Sequence, residues 1–255
     1  MLDEIVAVNA FADNYIWLLR KGANFIVVDP GEATAVREFI EARQGRLAAI
    51  LITHHHLDHV GGVADLLAWR KVPVFGPASE HIDVVDHPLS AGDAVQVDEL
   101  GVAFEVIDVG GHTLGHIAYH TDGALFSGDT LFAGGCGRIF EGSPEQMWQS
   151  LKRLAALPAT TAVYCAHEYT EANLRFAVAA EPTNKTLRQR FNDVLALRAD
   201  KKQTVPSTLA VELSTNPFLR ADQPDVIASA EEFSGCRLHH EVEVFAVLRE
   251  WKNVF

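Results

Sequence analysis

The chain has 255 residues, of which 48% are hydrophobic, so it can bury a substantial core and disorder is not expected. Its 21 basic and 34 acidic residues give a formal net charge of -13, which argues against a broad phosphate-binding surface for nucleic acid. The three cysteines are odd in number and widely spaced, which excludes a disulfide framework and a CxxC zinc knuckle.

The N-terminal residues contain neither a basic region nor a long apolar run, and no stretch approaches the roughly 20 apolar residues of a membrane span. We therefore expect a cytoplasmic protein that has no nucleic-acid or membrane partner. The expected state is a monomer.

Runs rich in β-branched residues recur from the N-terminus onwards, and most are bounded by turn residues such as Asp29-Pro30-Gly31. The runs predict strands over Glu4–Val8, Ile16–Leu19, Phe25–Val28, Ala48–Thr53, Val72–Phe75, Val102–Val109, Ile117–His120, Ala124–Ser127 and Thr161–Cys165. Helical periodicity between them predicts helices over Thr34–Arg43, Gly61–Lys71 and Ser143–Ala156.

The residue pattern changes near residue 170, after which runs typical of strands are almost absent. Helical spacing predicts helices over Thr170–Glu181, Asn184–Lys201, Pro224–Phe233 and Glu241–Lys252. We therefore expect a mixed α/β domain over residues 1–170 and a mainly helical subdomain over residues 171–255, which would be marginal alone but could pack against the first.

The segment Thr53–Gly62 holds the densest set of metal-binding side chains in the sequence. In an extended stretch His54 and His56 point to the same side, and the turn after them can direct Asp58 and His59 toward a second ion. Nitrogen and oxygen donors this close together suit divalent ions such as zinc, iron or manganese. The segment predicts a metal site at a strand end.

Further ligands are needed, because four side chains cannot complete two coordination spheres. His112, Asp129 and His167 each follow a predicted strand, beside small residues that let the backbone approach closely. His55 and His116 are more typical of packing or of hydrogen bonding to the ligands.

Taken together, the motif His54-x-His56-x-Asp58-His59 and the three later ligands resemble the metallo-β-lactamase superfamily over about residues 5–170. The resemblance implies a four-layer αββα sandwich, here followed by the mainly helical C-terminal subdomain. Further motifs resemble the glyoxalase II, or hydroxyacylglutathione hydrolase, branch over nearly the whole chain. They are Asp13-Asn14-Tyr15-Ile16-Trp17, Gly128-Asp129-Thr130-Leu131-Phe132, Gly135-Cys136-Gly137-Arg138, Glu141-Gly142, Ala166-His167-Glu168-Tyr169-Thr170, Thr215-Asn216-Pro217-Phe218-Leu219-Arg220, and Arg249 with Lys252.

This branch hydrolyses the thioester of S-D-lactoylglutathione, and of related S-2-hydroxyacylglutathiones, in the second step of methylglyoxal detoxification. The resemblance therefore implies a thioester hydrolase with two divalent metal ions per chain, zinc in the first place and iron or manganese otherwise. The implied ligands are His54, His56, His112 and Asp129 for one ion and Asp58, His59, His167 and again Asp129 for the other.

The resemblance also implies a glutathione-binding set formed by Arg138, Tyr169, Arg249 and Lys252. Arg249 and Lys252 are three positions apart, so on a helix they share a face and can meet one carboxylate together. The same spacing is equally typical of a solvated amphipathic helix. The chain departs from the family in having Arg138 where lysine is common and Phe140 where tyrosine is common, and a phenyl ring cannot supply a hydroxyl.

Two metal ions can present a hydroxide to a thioester carbonyl, and Asp58 is the residue expected to orient the water or take its proton. The thiolate leaves without obligatory protonation, so no general acid is required. Cys136 is not expected to be a nucleophile, because no base is adjacent to it in the sequence.

Other functions use similar donors. Within the superfamily these are a persulfide dioxygenase with one iron, a lactonase and a ribonuclease. The acidic net charge argues against the ribonuclease. The presence of both Asp58 and His167 favours two metals over the single iron of the dioxygenase. A di-iron module for electron transfer or metal sensing would usually come with a flavin or partner domain. A structural metal site would close with four protein ligands.

Overall fold

The computed structural model describes residues 2–255. The strands are β1 Glu4–Ala10, β2 Asn14–Lys21, β3 Asn24–Val28, β4 Arg46–Leu51, β5 Val74–Pro77, β6 His87–Leu89, β7 Ala94–Val97, β8 Val102–Asp108, β9 Ile117–Thr121, β10 Ala124–Gly128, β11 Leu131–Phe132, β12 Gly135–Cys136, β13 Ala162–Cys165 and β14 Ser207–Thr208. The helices are α1 Thr34–Ala42, α2 Leu57–Val60, α3 Val63–Trp69, α4 Pro144–Ala155, α5 Thr170–Ala180, α6 Lys185–Ala199, α7 Leu209–Thr215, the 3-10 helix Pro217–Leu219, α8 Pro224–Ser234 and α9 Glu241–Val254.

Every strand and helix predicted from the sequence is present, with ends that differ by a residue or two. The start of α4 shows how local residues define a helix end. Ser143 accepts a hydrogen bond from the Gln146 amide at 3.2 Å, and Pro144 occupies the first helical position. Asn184 caps α6 in the same way, through the Leu187 amide at 3.0 Å.

The elements that the sequence did not predict are short. They are β6, β7, β11, β12, β14, α2, α7 and the 3-10 helix, none longer than seven residues. A segment this short spans too few periods for its hydrophobic pattern to identify it, so tertiary pairing decides its conformation.

The chain divides into two compact units. The first consists of the residues up to Asp108 together with Leu114–Gly128, and the second of Val109–Thr113 together with Asp129–Phe255. The domain boundary near residue 170 stays a prediction.

In the first unit, β1 to β6 form a sheet in chain order. The pairs among β1, β2 and β3 are antiparallel, and those from β3 to β6 are parallel. Val28 of β3 lies opposite Leu51 of β4, so both strands end at the same edge. The residues that follow them, Asp29 and Thr53, therefore meet there, where α/β folds tend to place their sites.

Helices α1 and α3 cover one face of this sheet. Val36 and Ile40 of α1, and Val63 and Leu66 of α3, are fully buried in one core cluster with sheet residues such as Ile50. The spacing of four and of three places each pair on a single helix face. Burying each such side chain contributes about 1.5–3 kcal/mol.

Four more strands of the first unit form an antiparallel ladder in the order β10, β9, β8, β7. Val102, Phe104 and Val106 of β8 are buried while the residues between them are exposed, as expected for a sheet with one covered face. Tyr119 of β9 is buried and donates its hydroxyl to the Ile52 carbonyl at 2.8 Å, and burial raises its pKa well above the ordinary value.

In the second unit, β11 and β12 form a two-stranded hairpin and β13 pairs antiparallel with β14. Helices α4, α5 and α9 and the 3-10 helix share an aromatic core. The ring centroid of Phe218 lies 5.7 Å from that of Phe176 and 5.9 Å from that of Phe245, and Trp148 lies 5.7 Å from Phe245. Among the helices of residues 2–255, none has both the length and the apolar character needed to cross a lipid bilayer.

Candidate metal centre

The first cluster of donors follows β4 in the first unit. His54 is fully buried and His56 is half-buried, and Nε2 of His54 lies 3.1 Å from Nδ1 of His56. The prediction that these two imidazoles face the same side is confirmed. Two imidazole nitrogens at this distance can bind a single divalent ion together.

Asp58 and His59 lie on α2, so the turn expected at this point takes the form of a single helical turn. Nε2 of His59 lies 3.5 Å from Oδ2 of Asp58, and the same oxygen accepts a hydrogen bond from Nδ2 of Asn14 at 3.0 Å. His59 is buried, whereas the side chain of Asp58 is 40% exposed. The Asp58 carboxylate is therefore held from two sides and still open to solvent.

Asp29 orients this cluster, and the sequence indicated only a turn there. Its Oδ1 accepts a hydrogen bond from the Thr53 amide and its Oδ2 one from the Thr53 hydroxyl, both at 2.8 Å. Oδ2 also lies 3.0 Å from Nδ1 of His59, and the Thr53 hydroxyl lies 3.0 Å from Nδ1 of His54. One buried carboxylate thus restrains two imidazoles, which fixes their ring orientations.

The two remaining histidines of the region have structural contacts. Nδ1 of His55 lies 2.9 Å from the Glu80 carboxylate, and the His55 amide donates to it at 2.7 Å. His116 is fully buried and stacks on His54, with centroids 4.5 Å apart and planes 18° apart. These contacts agree with the packing or hydrogen-bonding roles expected for both.

The second cluster of donors lies in the second unit and consists of His112, Asp129 and His167, all buried. Nε2 of His112 lies 3.4 Å from Oδ2 of Asp129, and Nε2 of His167 lies 3.4 Å from Oδ1 of Asp129. The two carboxylate oxygens therefore face different imidazoles. That arrangement is suited to a carboxylate that bridges two ions.

Backbone groups of the loop after Asp129 complete this second cluster. The carbonyl of Arg138 lies 2.7 Å from Nδ1 of His112, so Nδ1 carries the proton and Nε2 is the nitrogen suited to metal. A Cβ atom on Gly137 would lie 1.9 Å from the Asp129 carbonyl oxygen and 3.2 Å from Nδ1 of His112. Only glycine can therefore occupy position 137 without moving a ligand.

The donor set fits divalent metal ions. Five imidazoles and two carboxylates belong to groups of side chains that could hold an ion, and imidazole with carboxylate is the chemistry of zinc, iron and manganese sites. The clusters place His54, His56, Asp58 and His59 in one unit and the other three in the other, as their strands dictate.

The predicted substrate residues all lie in the second unit. Tyr169 stacks on His167, with centroids 4.7 Å apart and planes 5° apart, and it is 37% exposed. Arg249 is buried and donates from NH1 to the Cys136 carbonyl at 2.9 Å. Lys252, one turn further along α9, donates to the Ala172 carbonyl at 3.1 Å.

Two cationic side chains meet at Asn253. Its Oδ1 accepts hydrogen bonds from Nε of Arg138 and from NH2 of Arg249, both at 3.3 Å. The loop that carries Arg138 is thus joined to the end of α9. Burial, and to a smaller extent the charge of Arg249, lowers the pKa of Lys252.

Neither buried cysteine is set up as a nucleophile. Burial raises the pKa of the Cys136 thiol, although Arg249 opposes the shift, and burial raises that of Cys165 to about 12. Because their pKa values are raised, both thiols remain protonated at neutral pH. The thiolate is the reactive form of cysteine, so neither side chain is an activated nucleophile. This agrees with the expectation for Cys136.

Two family models match consecutive parts of the chain. One described as the metallo-beta-lactamase superfamily matches residues 11–167, and one described as the hydroxyacylglutathione hydrolase C-terminus matches residues 168–255. The chain is 57% identical over 254 residues to a hydroxyacylglutathione hydrolase of Alkalilimnicola ehrlichii, with 99% of each chain covered. It is 54% identical over 246 residues to one of Halorhodospira halophila, with 96% of each covered.

Solved structures share the fold. ETHE1 from Myxococcus xanthus superposes with a TM-score of 0.65 at 21% identity, covering 100% of this chain and 99% of that one. TTHA1623, crystallised in a di-iron-bound form, gives 0.60 at 26% identity, covering 85% of this chain and 100% of that one.

Proposed function

The chain belongs to the hydroxyacylglutathione hydrolases of the metallo-β-lactamase superfamily, and on that premise we propose how its residues carry out the reaction. Membership confirms the predicted α/β fold class and the prediction of a thioester hydrolase. The substrate is S-D-lactoylglutathione, and the products are D-lactate and glutathione. The observation that carries this function is 57% identity across 99% of the chain to a hydroxyacylglutathione hydrolase.

The protein binds divalent metal ions, and we propose that it binds two. Support comes from the donor chemistry of the two clusters and from the di-iron-bound form in which a 26% identical protein was crystallised. Zinc is the first expectation and iron or manganese the alternatives, since all three accept this donor set. The proposed ligands are His54, His56, His112 and Asp129 for one ion and Asp58, His59, His167 and Asp129 for the other.

When bound, two such ions supply a hydroxide near neutral pH and polarise the thioester carbonyl. The chain holds its own groups ready for that chemistry. Asn14 keeps the solvent-open Asp58 carboxylate in one orientation through the 3.0 Å hydrogen bond to Oδ2, so Asp58 can accept a hydrogen bond from a water or take its proton. Because the leaving thiolate has an ordinary pKa near 8.5, the chain needs no acid to protonate it.

We further propose that Arg138, Tyr169, Arg249 and Lys252 bind the glutathione part of the substrate. Three of them are cationic, and glutathione carries carboxylates, for which guanidinium and ammonium groups are the strong hydrogen-bond donors. The 37% exposed ring of Tyr169, stacked on His167, connects this region to a proposed metal ligand. Action as a monomer in the cytoplasm stays a prediction.

The test is a hydrolysis assay on protein with measured metal content. Loss of thioester absorbance should be fast with S-D-lactoylglutathione and slower with glutathione thioesters of unrelated acyl groups. A β-lactam should not be hydrolysed. Metal analysis should give two ions per chain. One iron per chain, with oxygen consumed on glutathione persulfide and no thioester hydrolysis, would contradict the proposal.

A further inference from the structure

The hairpin Leu131–Cys136, formed by β11 and β12, lies between two residues of the proposed site. It begins two residues after Asp129 and ends two residues before Arg138. Its strands are only two residues each, so the hairpin's own hydrogen bonds are too few to hold it in place. Something outside the hairpin must do so.

Asn216, at the start of the 3-10 helix, is hydrogen-bonded to the hairpin. Its Nδ2 donates to the Gly135 carbonyl at 2.9 Å and to the Phe132 carbonyl at 3.3 Å. Its Oδ1 accepts a hydrogen bond from the Phe218 amide at 3.1 Å. The side chain is fully buried, so these hydrogen bonds do not compete with water.

Glu212, on α7, is also hydrogen-bonded to the hairpin. It is fully buried, and its Oε2 accepts hydrogen bonds from the Gly134 amide at 2.8 Å and from Nδ2 of Asn216 at 3.1 Å. Its other oxygen accepts hydrogen bonds from the Ser207 hydroxyl and from NH2 of Arg190, the latter at 2.5 Å. A buried carboxylate is tolerated only where its partners are fixed, so moving the hairpin would leave this charge incompletely paired.

The hairpin in turn holds groups of the site. The Cys136 carbonyl accepts the hydrogen bond from Arg249, and two residues later the Arg138 carbonyl lies 2.7 Å from Nδ1 of His112. At the other end, the Gly137 amide donates to the Thr130 carbonyl at 3.1 Å, next to Asp129. The position of the hairpin therefore determines where a metal ligand and a substrate-binding guanidinium lie.

We propose that Glu212 and Asn216 are positioning residues of the hydrolase site, which set the hairpin and through it Asp129, His112 and Arg249. The inference rests on the metal and substrate roles proposed for those three residues. Neither positioning residue is among the proposed metal ligands or the proposed substrate-binding residues. They act by restricting the hairpin to one arrangement, as residues that orient ligands generally do.

The chain offers a matched control, because a second buried glutamate has similar partners, and its side-chain hydrogen bonds within residues 2–255 do not involve the hairpin. Glu181 accepts hydrogen bonds from Arg220 at 2.8 and 2.7 Å and from Asn184 at 3.0 Å. Asn184 also donates to the Ser214 carbonyl at 2.9 Å and caps α6 through its Oδ1. Asn184 and Glu181 thus repeat the roles of Asn216 and Glu212 without the hairpin.

The experiment compares Asn216→Ala with Asn184→Ala in the metal-loaded enzyme. Asn216→Ala should weaken metal binding about 10-fold in competition with a chelator and raise KM for S-D-lactoylglutathione severalfold. It should also speed amide hydrogen exchange in residues 130–138. Asn184→Ala should leave the metal affinity, KM and that exchange within about twofold of the wild type, even if its melting temperature falls equally.

Glu212→Gln and Glu181→Gln form the second pair. A glutamine at 212 presents its NH2 donor either to the donors Gly134 and Asn216, which breaks the hairpin contact directly, or to Arg190, which displaces the side chain that holds the hairpin. Either orientation should loosen the hairpin and weaken metal binding, and Glu181→Gln should do neither. If both members of each pair gave equal metal affinity, KM and exchange, the positioning role would be wrong. Metal affinity and exchange need no substrate, so a wild type without thioesterase activity would overturn the proposed function and leave this test readable.

Discussion

Asp29 and His59 form a buried pair in which Oδ2 of the carboxylate lies 3.0 Å from Nδ1 of the imidazole. This contact fixes the orientation of the His59 ring, so that Nε2 faces the Asp58 carboxylate at 3.5 Å. Because the same carboxylate accepts two hydrogen bonds from Thr53, Asp29 links the end of β3 to both imidazole-bearing segments after β4.

Replacing Asp29 by alanine should therefore weaken metal binding by roughly 10- to 100-fold. Removing the carboxylate frees the rotation of His59 and releases Thr53, which orients His54. Competition with a chelating dye would measure the affinity. Asp93→Ala, which removes an exposed carboxylate that accepts a hydrogen bond from the Ser90 amide, is the control and should change the affinity little.

Asp129→Ala should lose metal and activity together, because the proposed bridge serves both ions. Metal analysis after gel filtration, and turnover of S-D-lactoylglutathione on the same sample, would measure both. Asp122→Ala removes an exposed carboxylate in the turn before β10 and should change neither. Two ions and full turnover in Asp129→Ala would remove this residue from the bridge.

Arg249→Ala should raise KM by about 10- to 100-fold with metal content intact, since a charged hydrogen bond to a carboxylate is worth about 1.5–3 kcal/mol. The variant also loses the contact with the Cys136 carbonyl, so the melting temperature should be recorded beside KM. Arg237→Ala removes the same charge from a side chain that is 85% exposed and should leave KM unchanged. An unchanged KM in Arg249→Ala would exclude it from substrate binding.

Phe140→Tyr should lower KM by about twofold to tenfold, the range of one ordinary hydrogen bond. Phe140 is 61% exposed and its ring meets His112 edge-on at a centroid distance of 5.2 Å, so there is room for a hydroxyl without loss of stability. Steady-state kinetics measures the effect. Phe140→Leu, which keeps an apolar side chain without a hydroxyl, should not reproduce it.

KM should increase as the pH is raised, and the increase should occur at a pH below 10.5, the ordinary pKa of lysine, because burial lowers the pKa of Lys252. The ammonium is present below the lowered pKa and is lost as the pH rises through it, and its attraction for a substrate carboxylate is lost with it. A KM profile from neutral pH upward would show this rise. Lys252→Arg should move the rise to higher pH, since guanidinium stays protonated; the same profile in both proteins would assign the rise to another group.

The long elements could be read from the sequence because each spans several periods of its own hydrophobic pattern. β2, β3, β4 and β8, and helices α1, α4 and α6, all lie within a residue or two of their predictions. The hairpin of β11 and β12 could not be read in this way. It consists of four paired residues whose conformation depends on Glu212 and Asn216, about 80 residues further along the chain.

The fold class, the enzyme class and the donor chemistry follow from the amino-acid sequence alone, because ligands appear in it as residue types at strand ends and in short motifs. The groups that orient those donors can be identified only in the folded chain. Asp29 reads as a turn residue, Gly137 as one glycine among several, and Glu212 as an ordinary helical glutamate. Each acquires its role from partners far away in the chain, and a hydrogen bond between distant residues leaves no local pattern in either one.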